Sequence, residues 1–263
     1  MRKVLHAGSA RWENLSYRKS GDHSGMAVMF IHGAVGDSRL YRYQLRHFGA
    51  RYKTIAVDLP GHGHSYTGVR PSLDDFIGAI EDILKEESVS SFILVGHSMG
   101  GGVCLEAYRR GIGGLAGMVL VSTSPVLPIA PALVDILERD DMDALADLIV
   151  GAVFSRKVDI LTGFARKGLA EMDRGVIRGD VDICREMDFT GMLNEIDLPV
   201  LVVANRGDLV IPYDSTAAIS EKIRNARLVA FDDDGHVPFF ENPRNFNESV
   251  DEFLSTIEPK SYP

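Results

Sequence analysis

The chain has 263 residues, 45% hydrophobic and 25% charged, with a net charge of −9 and two cysteines. It is long enough to bury a core without disulfide staples. The acidic balance, with no basic tract, argues against a nucleic-acid surface, whose phosphates require clustered Lys and Arg. Cys104 and Cys184 are expected as free thiols, not as a disulfide framework. The first residues, MRKVLHAGSARW, lack the apolar stretch of a signal peptide. No apolar run reaches the roughly 18 residues that cross a membrane, so a cytoplasmic location is expected.

In chain order, residues 13–18 allow a meandering edge strand, and AVMFIH (Ala27–His32) and TIAVDL (Thr54–Leu59) read as strands. A helix is expected over Leu73–Glu87, a strand at FILVGH (Phe92–His97), a helix over Gly100–Arg110 and a strand at GMVLVS (Gly117–Ser122). After residue 189 come PVLVVAN (Pro199–Asn205), a helix over Asp214–Ile223, ARLVAF (Ala226–Phe231) and a helix over Asn245–Ile257. The apolar runs are continuous instead of alternating, the pattern of parallel strands buried on both faces. Strand and helix in alternation predict an α/β fold.

Residues 125–189 break the alternation. They begin with the proline-rich SPVLPIAP and then carry apolar residues at helical spacing (Leu133, Ile136 and Leu137; Leu145, Leu148 and Ile149; Phe164, Leu169 and Met172). The spacing predicts about four helices inserted in a core of residues 1–124 and 190–263. A structural elaboration is the plain alternative. Placed at the carboxyl end of a strand, such an insertion would cap the crevice where open α/β sheets bind ligands.

Gly96-His97-Ser98-Met99-Gly100 fits G-x-S-x-G between a strand and a helix. A nucleophile displayed on so sharp a turn needs neighbours without Cβ atoms. A glycine-rich turn with a solvated serine is the alternative for these five residues alone. Serine also needs a base, and the base an orienting acid. His236 follows the last strand in FDDDGHVPFFENP, and Asp208 follows the strand before it in VVANRGDLVIP. Ser98 Oγ is expected within about 2.6–3.2 Å of His236 Nε2. An oxyanion needs two preorganised N–H donors; the Met99 and Ala34 amides are the candidates, Gly33 allowing the approach. His97 is expected to be a neighbour of the site and not its base. His32 is expected to brace its loop. DLPGHGHS (Asp58–Ser65) is expected to be a hydrogen-bonded loop, since His62-x-His64 lacks a third ligand for a metal.

HGAVGDS, DLPGHGHS, GHSMGG, RGDLVIP and GHVPFFENP together resemble the α/β-hydrolase superfamily over essentially the whole chain. The elbow is similar to those of carboxylesterases and monoacylglycerol lipases. The resemblance implies an eight-stranded, mostly parallel sheet, a helical cap after the sixth strand and no cofactor. It implies Ser98 as nucleophile, His236 as base, Asp208 as its orienter and the Ala34 and Met99 amides as oxyanion hole. ANRGD departs from relatives that carry a glycine near Asn205 and Arg206. Relatives that displace halide or open epoxides carry aspartate at the elbow, so Ser98 favours acyl transfer on a small or medium carboxylic ester. Carbon–carbon hydrolases, enol-lactonases and menaquinone-type lyases share the scaffold, as do some small-ligand receptors; the lyases often carry a basic residue where Gly102 stands. Phe154, Phe164, Val237 and Phe239, with Leu161 and Leu169, are candidates to line the substrate pocket, although ordinary helix packing is the favoured account of such residues. Arg166, Lys167, Arg174, Arg178 and Arg185 are spread through the cap, most of them expected to be solvated. The protein is expected to act as a monomer or homodimer on a small molecule.

Overall fold

The computed structural model describes residues 1–6, 14–65, 70–154 and 159–257; side chains at 159–162, 164 and 165 lie outside the description. Eight strands form one sheet: β1 (Arg2–His6), β2 (Asn14–Ser20), β3 (Ala27–Ile31), β4 (Lys53–Val57), β5 (Phe92–His97), β6 (Leu115–Val121), β7 (Val200–Asn205) and β8 (Ala226–Phe231). Their order is β1-β2-β4-β3-β5-β6-β7-β8. β2 pairs antiparallel with β1 and β4, and every other pairing is parallel. The expected strand near residues 13–18 is β2, but it lies inside the sheet. The edge is β1, whose sequence RKVLH mixes charge into so short a run that no apolar pattern announces it.

β3, β5, β6 and β7 are buried along their whole length. The pleat divides them between two cores. Ala27, Met29 and Ile31 face α2 (Leu73–Glu86), α3 (Met99–Arg109) and α8 (Tyr213–Lys222), joining Phe76, Val103 and Ile219. Val28 and Phe30 face the other way, toward α1 (Arg42–Phe48), α9 (Pro238–Glu241) and α10 (Pro243–Leu254), joining Phe48, Phe239 and Phe246. β8 departs from the expected pattern: it is the far edge, and Leu228 stays exposed.

Between β6 and β7 run four helices, α4 (Pro131–Arg139), α5 (Met142–Val153), α6 (Asp159–Glu171) and α7 (Arg174–Glu186). Pro131 sits in the first turn of α4, where its missing N–H costs nothing. Asp140 closes α4 in the left-handed conformation, and the Asp141 side chain caps α5 by accepting from Ala144 N–H. Ile136, Leu145, Leu169 and Ile177 give these helices a small core of their own. They stand over the carboxyl ends of the parallel strands, the end at which Ser98, Asp208 and His236 also lie. Among the described residues, no helix is long and apolar enough to cross a membrane.

Candidate active site

Ser98 occupies the turn between β5 and α3 with φ 53° and ψ −119°. L-residues avoid this region at a cost of about 1–3 kcal/mol, so the surroundings must hold it. Ser98 N–H donates to Val121 O at 2.9 Å, and Ser98 O accepts from Thr123 Oγ1 and Gly101 N–H at 2.8 Å. The adjoining glycines leave no room for side chains. A Cβ on Gly96 would stand 2.2 Å from Gly100 O, and one on Gly100 would stand 2.4 Å from Ile31 O. Gly101 packs on Thr123. Gly102 meets Met187 just past α7, where a Cβ would come within 2.4 Å of the sulfur.

Asp208 and His236 come together from the loops after β7 and β8. His236 Nδ1 donates to Asp208 Oδ2 at 2.9 Å. Asp208 Oδ1 accepts from Val210 N–H and Ile211 N–H at 2.8 and 2.9 Å, which fixes the carboxylate plane. The start of the ANRGD segment that carries Asp208 is held by Asn205, whose Nδ2 donates to Ser122 Oγ at 2.6 Å. The His236 main chain is clamped as well. Its N–H donates to Val153 O at the end of α5, and its carbonyl accepts from His97 Nε2. His236 Nε2 is left for Ser98, but among the described residues the expected bond to Ser98 Oγ is not formed. Both residues nevertheless line one cavity. Such contacts commonly shorten and align only as the transition state forms.

His97 lies beside His236 without taking its place. Its Nε2 is taken by the His236 carbonyl, and burial together with the His236 ring holds its pKa well below the ordinary histidine value. His32 braces two loops, donating from Nδ1 to Gly33 O at 2.8 Å and accepting Leu59 N–H at Nε2 at 3.0 Å. Burial, reinforced by the neighbouring His62, lowers the His32 pKa to about 4, in keeping with a neutral ring. Asp58 and Ser65 stitch DLPGHGHS together: Asp58 Oδ1 accepts Ser38 N–H at 2.8 Å, and Ser65 Oγ donates to Asp58 O at 2.6 Å.

The Met99 N–H is the first of α3 and so has no acceptor within the helix. Ala34 follows Gly33, whose Cβ position lies 3.0 Å from Ser98 Cβ and 2.9 Å from His97 Nδ1. The loop after β3 therefore runs directly over the elbow, because glycine permits it.

A cavity of about 560 Å³ opens above these groups. Ala34, Ser98 and His236 form its floor, and Leu133, Leu145, Leu148, Ile149, Ile177 and Val181 form its apolar roof. Phe154, Leu169 and Val237 line it. Phe239 does not: it is fully buried beneath the floor, stacked on Tyr41 at 4.8 Å and packed edge-on against His97 at 5.0 Å. The α9 turn after Val237 points it into the sheet's core, which corrects its assignment to the pocket. The side chains of Phe164 and Leu161 lie outside the described residues. Arg166, Arg174 and Arg185 pair with Asp147, Asp140 and Asp182 on the exposed side of the inserted helices, away from the cavity.

Sequence reasoning missed several participants: the Val153 carbonyl, the bond from His97 to the His236 main chain, and Asp180 with His62. Asp180 alone left a signal, a carboxylate within the apolar stripe Ile177, Val181 and Cys184 of α7.

The sequence model of the alpha/beta hydrolase family matches residues 28–249. The chain is 32% identical over 261 residues to the non-heme chloroperoxidase CPO-A1 of Kitasatospora aureofaciens, covering 88% of this chain and 93% of that one. It is 25% identical over 218 residues to a pimeloyl-[acyl-carrier protein] methyl ester esterase of Aromatoleum aromaticum, covering 75% and 84%. Among solved structures, that of a thermophilic esterase superposes with a TM-score of 0.83 at 26% identity, covering 98% of this chain and 99% of the other. The chain belongs to the alpha/beta hydrolase family and is an enzyme of that family.

Proposed function

We propose that the protein is a serine hydrolase that cleaves a small to medium carboxylic ester through an acyl-enzyme. The observation that carries this reading is the bond from His236 Nδ1 to Asp208 at 2.9 Å, in a site where His236 and the strained Ser98 share one cavity wall. Asp208 accepts the hydrogen bond from Nδ1–H and so selects the tautomer whose Nε2 carries a lone pair. Nε2 takes the Ser98 proton as Oγ attacks the ester carbonyl. The Met99 and Ala34 amides receive the oxyanion, aided by the positive end of α3. His236 returns the proton to the departing alcohol. Water, deprotonated by the same nitrogen, then releases the acid and frees Ser98.

The apolar roof favours an uncharged acyl chain. Asp37 and Arg39 also line the cavity, but they are joined to each other at 2.7 Å. The resemblance to the methyl ester esterase and the thermophilic esterase supports ester cleavage. A series of p-nitrophenyl esters of increasing acyl length tests the proposal. Turnover that is lost in Ser98→Ala is the expected outcome, and no turnover across the series would overturn it.

A further inference from the structure

Val35, one residue beyond the Ala34 amide, has φ 55°. A β-branched side chain there is strained, and the chain keeps it although glycine would fit freely. What holds the turn comes from the cap. Val35 N–H donates to Asp180 Oδ2 at 2.8 Å. Asp180 belongs to α7 and is completely buried.

The same oxygen faces His62 Nε2 at 2.9 Å, and His62 Nδ1 faces Pro60 O at 3.1 Å. A carbonyl only accepts, so Nδ1 carries a proton; Nε2 faces a carboxylate oxygen and carries one too. Burial alone would lower the pKa of His62, but the Asp180 charge outweighs it and holds the pKa above the ordinary histidine value. The two residues form a buried imidazolium–carboxylate pair between the cap and the loop after β4. Both ring nitrogens of His62 are thereby occupied.

Fastening the cap does not require this arrangement. An apolar pair of similar volume holds two elements together as well or better, without the desolvation cost of two charges. Asp180 Oδ1 is also buried without a partner among the described residues. What Asp180 supplies, and an apolar residue cannot, is an acceptor for the Val35 N–H. That bond fixes the peptide plane between Ala34 and Val35 and so constrains the turn that carries the Ala34 N–H over Ser98.

We infer that Asp180 is a positioning residue of the cap: charged against His62, it holds the strained Ala34–Val35 turn and so aims the Ala34 amide at the oxyanion. The inference rests on the proposed roles of Ser98 and Ala34. It makes the helical insertion a structural part of the oxyanion hole as well as the roof of the pocket, so a shift of α7 detunes catalysis without touching the triad.

The test is a double-mutant cycle between Asp180 and Val35, read as kcat and KM on the best p-nitrophenyl ester. D180A is expected to lower kcat about 10- to 100-fold with KM within about threefold, because an oxyanion donor acts in the transition state. D180N is expected to lose much less, since its amide oxygen, placed where Oδ2 stands, still accepts the Val35 N–H and the His62 Nε2–H. In a V35G background the loss from D180A is expected to shrink to about threefold or less, because glycine adopts positive φ unaided. If D180A does not fold, D180L, which keeps the volume and lacks the acceptor, carries the same cycle. Unchanged kcat in D180A or D180L, or an equal loss with valine and glycine at position 35, overturns the inference while leaving Ser98-dependent turnover intact. Wild-type protein with neither Ser98-dependent turnover nor labelling by a fluorophosphonate overturns the proposed function and this inference together.

Discussion

His97 donates its Nε2–H to the main-chain carbonyl of His236 at 2.8 Å, and the two rings stand 4.5 Å apart. The residue beside Ser98 thus fixes the backbone of His236, the proposed base, while Val153 O fixes it from the end of α5. Removing the donor in His97→Ala should lower kcat about tenfold with KM little changed, a cost typical of a misplaced catalytic group. His97→Gln, whose amide can donate, should recover part of the loss. Steady-state kinetics of the two variants check this, and equal losses in both would contradict it.

Asp208→Asn leaves the hydrogen bonds from Val210 and Ile211 an oxygen to reach, but presents an N–H to His236 Nδ1. The ring must then carry its proton on Nε2 and cannot take one from Ser98. A loss of about 10³- to 10⁴-fold in kcat is expected, with the fold preserved. Kinetics together with a thermal melt on the same sample measure both.

Gly33→Ala places a methyl group 2.9 Å from His97 Nδ1 and 3.0 Å from Ser98 Cβ. Those neighbours are themselves held, so the loop must move and carry the Ala34 amide with it. Turnover should fall at least tenfold; kcat on one ester, compared with wild type, is sufficient.

The roof should set acyl length. Leu148 lines the cavity and is only partly buried, so a larger side chain there can be accommodated. Leu148→Trp should reduce kcat/KM for long p-nitrophenyl esters while sparing acetate. A uniform reduction across the series would show that the chain runs elsewhere.

Far from the cavity, Glu87 accepts from Tyr17 Oη at 2.7 Å and pairs with Lys19 at 2.9 Å and Lys3 at 3.0 Å. Burial alone would raise its pKa, but these bonds outweigh burial and lower it from 4.5 to about 2. A carboxylate with a depressed folded-state pKa stabilises above its unfolded value and loses that contribution as pH falls through the folded one. About 2–3 kcal/mol should therefore be present at neutral pH and be lost between pH 5 and 2. Urea midpoints across this range should fall more steeply for wild type than for Glu87→Gln.

Much of this was legible in the sequence because it is local. Glycines at 96 and 100 mark an elbow, and continuous apolar runs such as FILVGH mark strands covered on both faces. Asp208 and His236 stand immediately after β7 and β8, so their meeting follows from the parallel order of the sheet. What was not legible depends on distance or direction. Phe239 follows Val237 by two residues, yet the intervening turn sends one to the cavity and the other to the core. Asp180 and Val35 are 145 residues apart, and only tertiary packing brings them together. β1 escaped because charge is mixed into its five residues, so no apolar run marks it.

The most direct test of the central claim is the covalent intermediate itself. Acid-quenched protein turning over a p-nitrophenyl ester should carry one acyl group, found by peptide mass mapping on Ser98 and absent in Ser98→Ala, after a burst of one p-nitrophenol per enzyme. Turnover that survives Ser98→Ala, or an acyl group mapped to another residue, would contradict the account.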